Sequence, residues 1–260
     1  MDLIEDRNNR LVENLTKLGY AVMQVDDIKP IEKIRIGIAD WIRKNYNTTG
    51  SDEYVLNNIH LISNFRSDSD ANKLTLECIK YISKSFSFDR EIYMSSKAYF
   101  THLFGQDIHS QKGNNIVLQH PHSNRVAELH IDAPPTSKFE VVSWVPLVDC
   151  YASKSFYVVP LKESRKLLAE YNSNNFKTWE EFKNACQKKS ITIQAKYGDI
   201  LFFSSTLLHG SEMNNTDETR WCLNTRYKSL FAPTGMHDPL SFYNVLSTSP
   251  LTNIGFDLQG

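Results

Sequence analysis

His130-Ile131-Asp132, a later His209 and then Arg220 are the residues of this chain best equipped for chemistry. Two imidazoles and one carboxylate make a three-point facial ligand set for Fe(II), which leaves three octahedral positions open. An arginine beyond the second histidine adds a planar fork that takes a carboxylate by two hydrogen bonds. Together they point to an iron site that binds a dicarboxylate beside its metal. Each part alone reads blandly, because a single histidine on a sheet is more often a hydrogen-bonded side chain and His-x-Asp is a short motif. His60, His102, His109 and His237 have no companion in the sequence, and His120 and His122 lack a third ligand.

These side chains need strands to bring them together. Alternate residues of a strand share a face. Read as a strand, residues 127–132 place Glu128, His130 and Asp132 on one face and Ala127, Leu129 and Ile131 on the other. The run 199–203 ends shortly before His209 and can deliver it from a neighbouring strand. Gly210 then allows a close backbone approach or an unusual turn. In the strand 220–227, Arg220, Cys222, Asn224 and Arg226 share one face, while Trp221, Leu223, Thr225 and Tyr227 can pack against helices. A buried guanidinium keeps its charge and needs an anion. For Arg220 that anion is either a protein carboxylate, with Glu128 and Asp199 as candidates, or an anionic ligand.

The rest of the chain is read for the scaffold. Leu3, Ile4, Leu11, Leu15 and Leu18 recur at helical spacing, and Gly19 stops the pattern. A strand is expected at 21–25, with further helices at 31–41 and 71–82. From Asn115 onward, short β-type runs follow one another at Ile116–Gln119 and at 127–132, 141–148, 156–159, 191–195, 200–203 and 220–227. Helices interrupt them at 161–171 and 179–188, the second with Thr178 as its N-cap. Helices first and many antiparallel strands afterwards predict a mainly β fold with flanking α, a jelly-roll or cupin-like barrel with the N-terminal helices packed outside. One domain over residues 1–260 is expected. In it, 1–114 serve as mostly helical support, 115–231 as the barrel core with the metal site, and 232–260 as a C-terminal extension.

Bulk properties narrow the partners. The chain has 260 residues and a formal net charge of −1, which argues against a nucleic-acid binder or an electrostatically held membrane protein. Its length suffices for a core without disulfides or structural metal. The N-terminal residues are charged with no apolar run after them, and no stretch is long enough to span a bilayer. The four cysteines form no Cys-x-x-Cys pair, so free thiols and a cytoplasmic setting are expected.

The second half of the chain resembles a known enzyme family. The likeness is carried by Ile116-Val117-Leu118-Gln119-His120-Pro121-His122, Leu129-His130-Ile131-Asp132, Trp144-Val145-Pro146-Leu147-Val148-Asp149, Lys154-Ser155-Phe156-Tyr157-Val158-Val159-Pro160 and His209-Gly210-Ser211. The interval of 11 residues from His209 to Arg220 adds to it. In these segments the chain resembles the Fe(II)/2-oxoglutarate-dependent oxygenases of the phytanoyl-CoA dioxygenase-like branch. Within that branch it is most similar to the small oxygenases of bacterial carbohydrate-biosynthesis clusters. The resemblance implies a double-stranded β-helix with Fe(II) on His130, Asp132 and His209. It also implies 2-oxoglutarate chelating the metal, with Arg220 on its far carboxylate and Gln119 and Asn224 as further contacts. For Gln119 a structural amide bonded to nearby backbone is the competing reading. With O₂ as the other cosubstrate, the implied chemistry is decarboxylation of 2-oxoglutarate to succinate and CO₂, coupled to oxidation of a substrate C–H bond. Asp132, where a halogenase has Ala or Gly, implies hydroxylation.

Two departures bear on the substrate. Cys222 stands where many members carry Ser, and Val159-Pro160-Leu161-Lys162-Glu163-Ser164 replaces the Pro-Gly-Ser-His segment, which argues against a phytanoyl-CoA-like substrate. A small molecule such as a sugar or nucleotide-sugar is expected instead. Trp144, Tyr157, His120 and Lys154 are candidates at the mouth, with Trp144 also readable as core. Lys154, Arg226 and Lys228 are candidates for a phosphate. Two other readings stand beside this one: a cupin-like isomerase using Zn or Mn, and a non-catalytic sugar-binding barrel. Arg220 counts against the first, which needs no dicarboxylate arm.

Overall fold

The computed structural model describes residues 3–62, 68–123 and 126–257. Helix α1 (Leu3–Leu18) stops at Gly19, whose φ of +80° suits glycine and whose amide bonds the Leu15 carbonyl at 3.0 Å. The chain turns there into strand β1 (Tyr20–Gln24). Helices α2 (Lys29–Tyr46), α3 (Asp52–Asn57), α4 (Ile59–Ile62), α5 (Asp68–Ile82), α6 (Phe88–Ser95) and α7 (Lys97–Phe104) follow. Then come β2 (Ile108–Gln111), β3 (Ile116–Gln119), β4 (Val141–Pro146) and β5 (Tyr157–Val158). Helices α8 (Leu161–Asn172) and α9 (Trp179–Gln187) separate these from β6 (Ile191–Thr192), β7 (Asp199–Ser204), β8 (His209–Gly210) and β9 (Arg220–Ser229). The chain closes with α10 (Pro239–Phe242), β10 (Tyr243–Ser247) and α11 (Pro250–Asp257). Thr178 caps α9 as expected, its hydroxyl accepting from the Glu181 amide at 3.1 Å.

Two antiparallel sheets form the double-stranded β-helix. The major sheet runs β1-β7-β4-β9-β2-β10, with β3 also paired to β9; the minor sheet runs β6-β5-β8. The major sheet therefore draws strands from the N-terminal helical third and from the C-terminal segment as well as from 115–231. One of its faces, with Ile200, Phe202, Trp221, Leu223 and Tyr227, buries against the helices through residues such as Ile34, Ile38, Leu56 and Phe100. The opposite face, with Val142, Trp144, Leu201, Phe203 and Cys222, meets Phe156, Val158 and Ile193 of the minor-sheet layer. The outer side of the minor sheet packs Tyr157, Val159 and Leu208 against Leu167, Phe182 and Cys186 of α8 and α9. Strand β9 shows the expected division between its faces. Among the described residues no helix is long and apolar enough to cross a membrane, and all four cysteines are free and buried.

One expected strand does not form. Residues 127–132 run beside 205–211 with only an isolated bridge, His130 to His209. The reason is a mismatch in length. Ser205 and His209, four residues apart, face Asp132 and His130, two apart, so the amides of Asp132 and Ala133 both turn to the Ser205 carbonyl (3.0 Å each). Pro134 and Pro135, with no N–H to offer, end the pairing.

Candidate metal and cosubstrate site

The two histidines are fixed by each other's backbone. The His130 amide donates to the His209 carbonyl and the His209 amide to the His130 carbonyl, both at 3.0 Å. Gly210 makes room for this approach, since a Cβ there would lie 2.6 Å from the Tyr157 hydroxyl oxygen and 3.0 Å from the Ala127 carbonyl oxygen. Of the two roles considered for Gly210, close approach is the one observed. Each imidazole bonds a backbone carbonyl through Nδ1: His130 to Glu128 at 2.7 Å and His209 to Leu207 at 2.9 Å. That fixes the tautomer and leaves the Nε2 lone pairs toward one point.

Asp132 completes the triangle. Its Oδ1 lies 3.9 Å from His130 Nε2 and its Oδ2 3.9 Å from His209 Nε2. One donor atom from each of the three residues falls within 4.8 Å of the others. Asp132 Oδ2 is buried with no hydrogen-bond partner, a costly state that an ion between the ligands relieves. His209 has its protonated form disfavoured, first by burial and then by His130, so the neutral ligand form prevails. Two imidazoles held through Nδ1 and a carboxylate with an unpartnered buried oxygen are a donor set that fits Fe(II).

The ligands line a cavity of ≈ 150 Å³ between the sheets. Arg220 reaches it from β9, 4 % exposed, and donates through Nη1 to the Ser155 carbonyl, while its Nε is buried without a partner. Among the described residues no carboxylate pairs with it: Glu128 is exposed and Asp199 accepts from the Lys196 amide. Asn224 lines the same cavity with its Oδ1 buried and unpartnered. Trp144 forms the wall, tilted against Phe156 with ring centroids 5.1 Å apart, and Phe203 and Val117 extend it. A buried cation and an amide oxygen in search of partners, beside a metal triad, fit an acid with a second carboxylate.

Other candidates lie elsewhere. Lys154 is wholly buried away from the cavity, its Nζ bonded to Asn57 Oδ1 (2.7 Å) and Glu218 Oε2 (2.6 Å), so it is not a residue of the mouth. Gln119 donates to the Glu212 carbonyl at 2.8 Å and does not line the cavity; neither does His120, on the loop after β3. Tyr157 turns to the outer side of the minor sheet. Lys228 donates to the Ala232 carbonyl at 2.7 Å. Arg226 does line the cavity but is engaged, donating to Asp132 Oδ1 at 2.6 Å and to Gln111 Oε1 at 2.8 Å. Sequence reasoning missed Gln111 and the wall residues Phe156, Phe203 and Val117. In β7 both faces are apolar, so no alternation marks Phe203 as the one that faces inward.

The chain belongs to the phytanoyl-CoA dioxygenase (PhyH) family, whose profile matches residues 26–222. This is a family of non-haem iron and 2-oxoglutarate oxygenases, and its cofactors suit the residues just described. Three solved structures share the fold. A non-heme monooxygenase, the ThoJ–Ni complex, is 13% identical over 92% of this chain and 84% of its own, with a TM-score of 0.53. EctD from S. alaskensis in its apoform is 13% identical over 92% and 85%, with a TM-score of 0.55. SnoK, a non-heme alpha-ketoglutarate-dependent carbocyclase from nogalamycin biosynthesis, is 13% identical over 90% and 88%, with a TM-score of 0.50. A comparison with curated proteins found no match.

Proposed function

We propose that the protein is an Fe(II)- and 2-oxoglutarate-dependent dioxygenase that hydroxylates or otherwise oxidises a small polar metabolite, with a sugar or nucleotide-sugar as its substrate class. The observation that carries the dioxygenase reading is Arg220, a buried guanidinium without a carboxylate in the cavity of the metal triad. His130, Asp132 and His209 hold the iron. Arg220 takes the distal carboxylate of 2-oxoglutarate, and Asn224, on the same face of β9, is placed to contact it. Trp144, Phe156 and Phe203 keep the site dry, which strengthens those contacts. His130 is the most exposed ligand, with 42% of its side chain open, and marks the side from which substrate arrives. Bound iron and 2-oxoglutarate supply the oxidising power, with O₂ as oxidant and succinate and CO₂ as products. The mixed lining of the cavity, with Arg220, Asn224 and Ser211 beside Trp144 and Phe156, supports a substrate with both polar groups and an apolar face.

The test is succinate formation by the purified protein with Fe(II), 2-oxoglutarate and air. Slow turnover without substrate and acceleration by one member of a panel of sugars and nucleotide-sugars are expected. No succinate under any condition, with iron bound, would leave the isomerase or binding-barrel reading. Acceleration only by compounds that are not carbohydrates would retain the oxygenase and remove the sugar.

A further inference from the structure

A facial triad uses one oxygen of its carboxylate, and in this chain one of the two Asp132 oxygens is already engaged by a neighbour. Arg226 Nη2 donates to Asp132 Oδ1 at 2.6 Å, and the other arm of the guanidinium, Nη1, donates to Gln111 Oε1 at 2.8 Å. Gln111 ends β2, which pairs with β9 in the register Ser110 to Tyr227, so the amide and the guanidinium stand on adjoining strands. Two hydrogen bonds in one plane fix the orientation of a guanidinium. The Asp132 side chain is 8 % exposed, and its Oδ2 is left unpartnered, 3.9 Å from His209 Nε2.

We propose that Arg226 is a positioning residue that holds Asp132 to a single metal-facing oxygen, with Gln111 as the strut behind it. The inference rests on the iron reading above and deepens it. A carboxylate free to turn can bind a metal through both oxygens. In a facial set that second oxygen would fill one of the three positions that 2-oxoglutarate and O₂ require. Arg226 occupies Oδ1 and removes that option. The same contact takes Arg226 out of the group of cations available to a substrate phosphate.

Co(II) added anaerobically to the metal-free protein, without 2-oxoglutarate, reads coordination directly through its visible spectrum. Arg226→Met is expected to change the band positions and intensities and to weaken Co(II) binding by about 10–100-fold, as loss of a residue orienting a ligand does. Arg226→Lys, which keeps one donor, should restore part of the affinity. Gln111→Leu leaves the triad and the cation in place and serves if Arg226→Met fails to fold; its spectrum should shift toward that of the unheld carboxylate. A parent-like spectrum and affinity in Arg226→Met, or in Gln111→Leu where that is the variant that folds, overturns the proposal. If the parent protein itself binds no Co(II) or Fe(II), the iron reading fails first.

Discussion

Arg220 is the residue on which affinity for the cosubstrate should turn. Its charge is permanent, its Nε has no partner, and its protein contact is a neutral carbonyl. A hydrogen bond to a charged group is worth about 1.5–3 kcal/mol, so Arg220→Met should weaken 2-oxoglutarate binding by roughly one to two powers of ten. Iron binding should persist, since Arg220 is no ligand. Titration of 2-oxoglutarate into the anaerobic Fe(II) protein, followed by its charge-transfer band, checks both statements. His109 makes a second, independent prediction. Burial, with a smaller contribution from Lys228, pushes its imidazole from 6.5 down to about 4, and its ring stacks on Tyr243. Between those values the unfolded chain binds the proton and the folded one does not, so stability falls as pH drops from 6.5 to 4. Glu140, pushed up by burial, acts in the opposite sense just above its ordinary value. The difference between parent and His109→Gln in urea melts over that window isolates the histidine, and the variant should lose less stability.

The start of β9 is held by helix α3, and this is what aims Arg220. The Thr219 amide donates to the Asn57 carbonyl at 2.8 Å and Trp221 Nε1 to the Leu56 carbonyl at 2.9 Å, so both neighbours of Arg220 are tied to one helix. Asn57 also accepts from Lys154, whose next residue, Ser155, supplies the carbonyl that Arg220 touches. Lys154→Met should cost about 1.5–3 kcal/mol in urea unfolding. The lower half of that range is expected, because Glu218 keeps 37% of its side chain exposed and can rehydrate. The same variant should weaken 2-oxoglutarate binding without touching the metal; unchanged binding would detach the helix from the site. None of this was visible in the sequence. Lys154 reads there as a basic residue for the mouth or a phosphate, whereas its buried place depends on Asn57, 97 positions away. What could be read was local. Gly19 ends α1, Thr178 caps α9, and the two faces of β9 divide between helices and cavity, because each depends on residues close in the chain. Residues 127–132 failed as a strand because pairing there depends on a partner segment with two residues too many.

The molecule brings its chemistry together from both sheets. His209 comes from the minor sheet, Arg220 and Arg226 from the major one, and His130 and Asp132 from an irregular run along the edge of 205–211. That His130, Asp132 and His209 could meet at one point was legible from their types and spacing, since chemistry restricts which side chains form such a cluster. The wall of the cavity was not, because apolar strands covered on both faces carry no periodicity that says which side faces in. The reciprocal pair of backbone bonds between His130 and His209 is made by main-chain atoms alone, with no ligand atom taking part. Their amides should therefore exchange slowly with deuterated water even in EDTA-treated protein, at rates set by opening of the minor sheet. Fast exchange at both positions without metal would show that the ion builds the pair. Slow exchange describes a centre that can be stripped and recharged in place, so that inactivation by loss of iron would be a reversible pause in the working life of the protein.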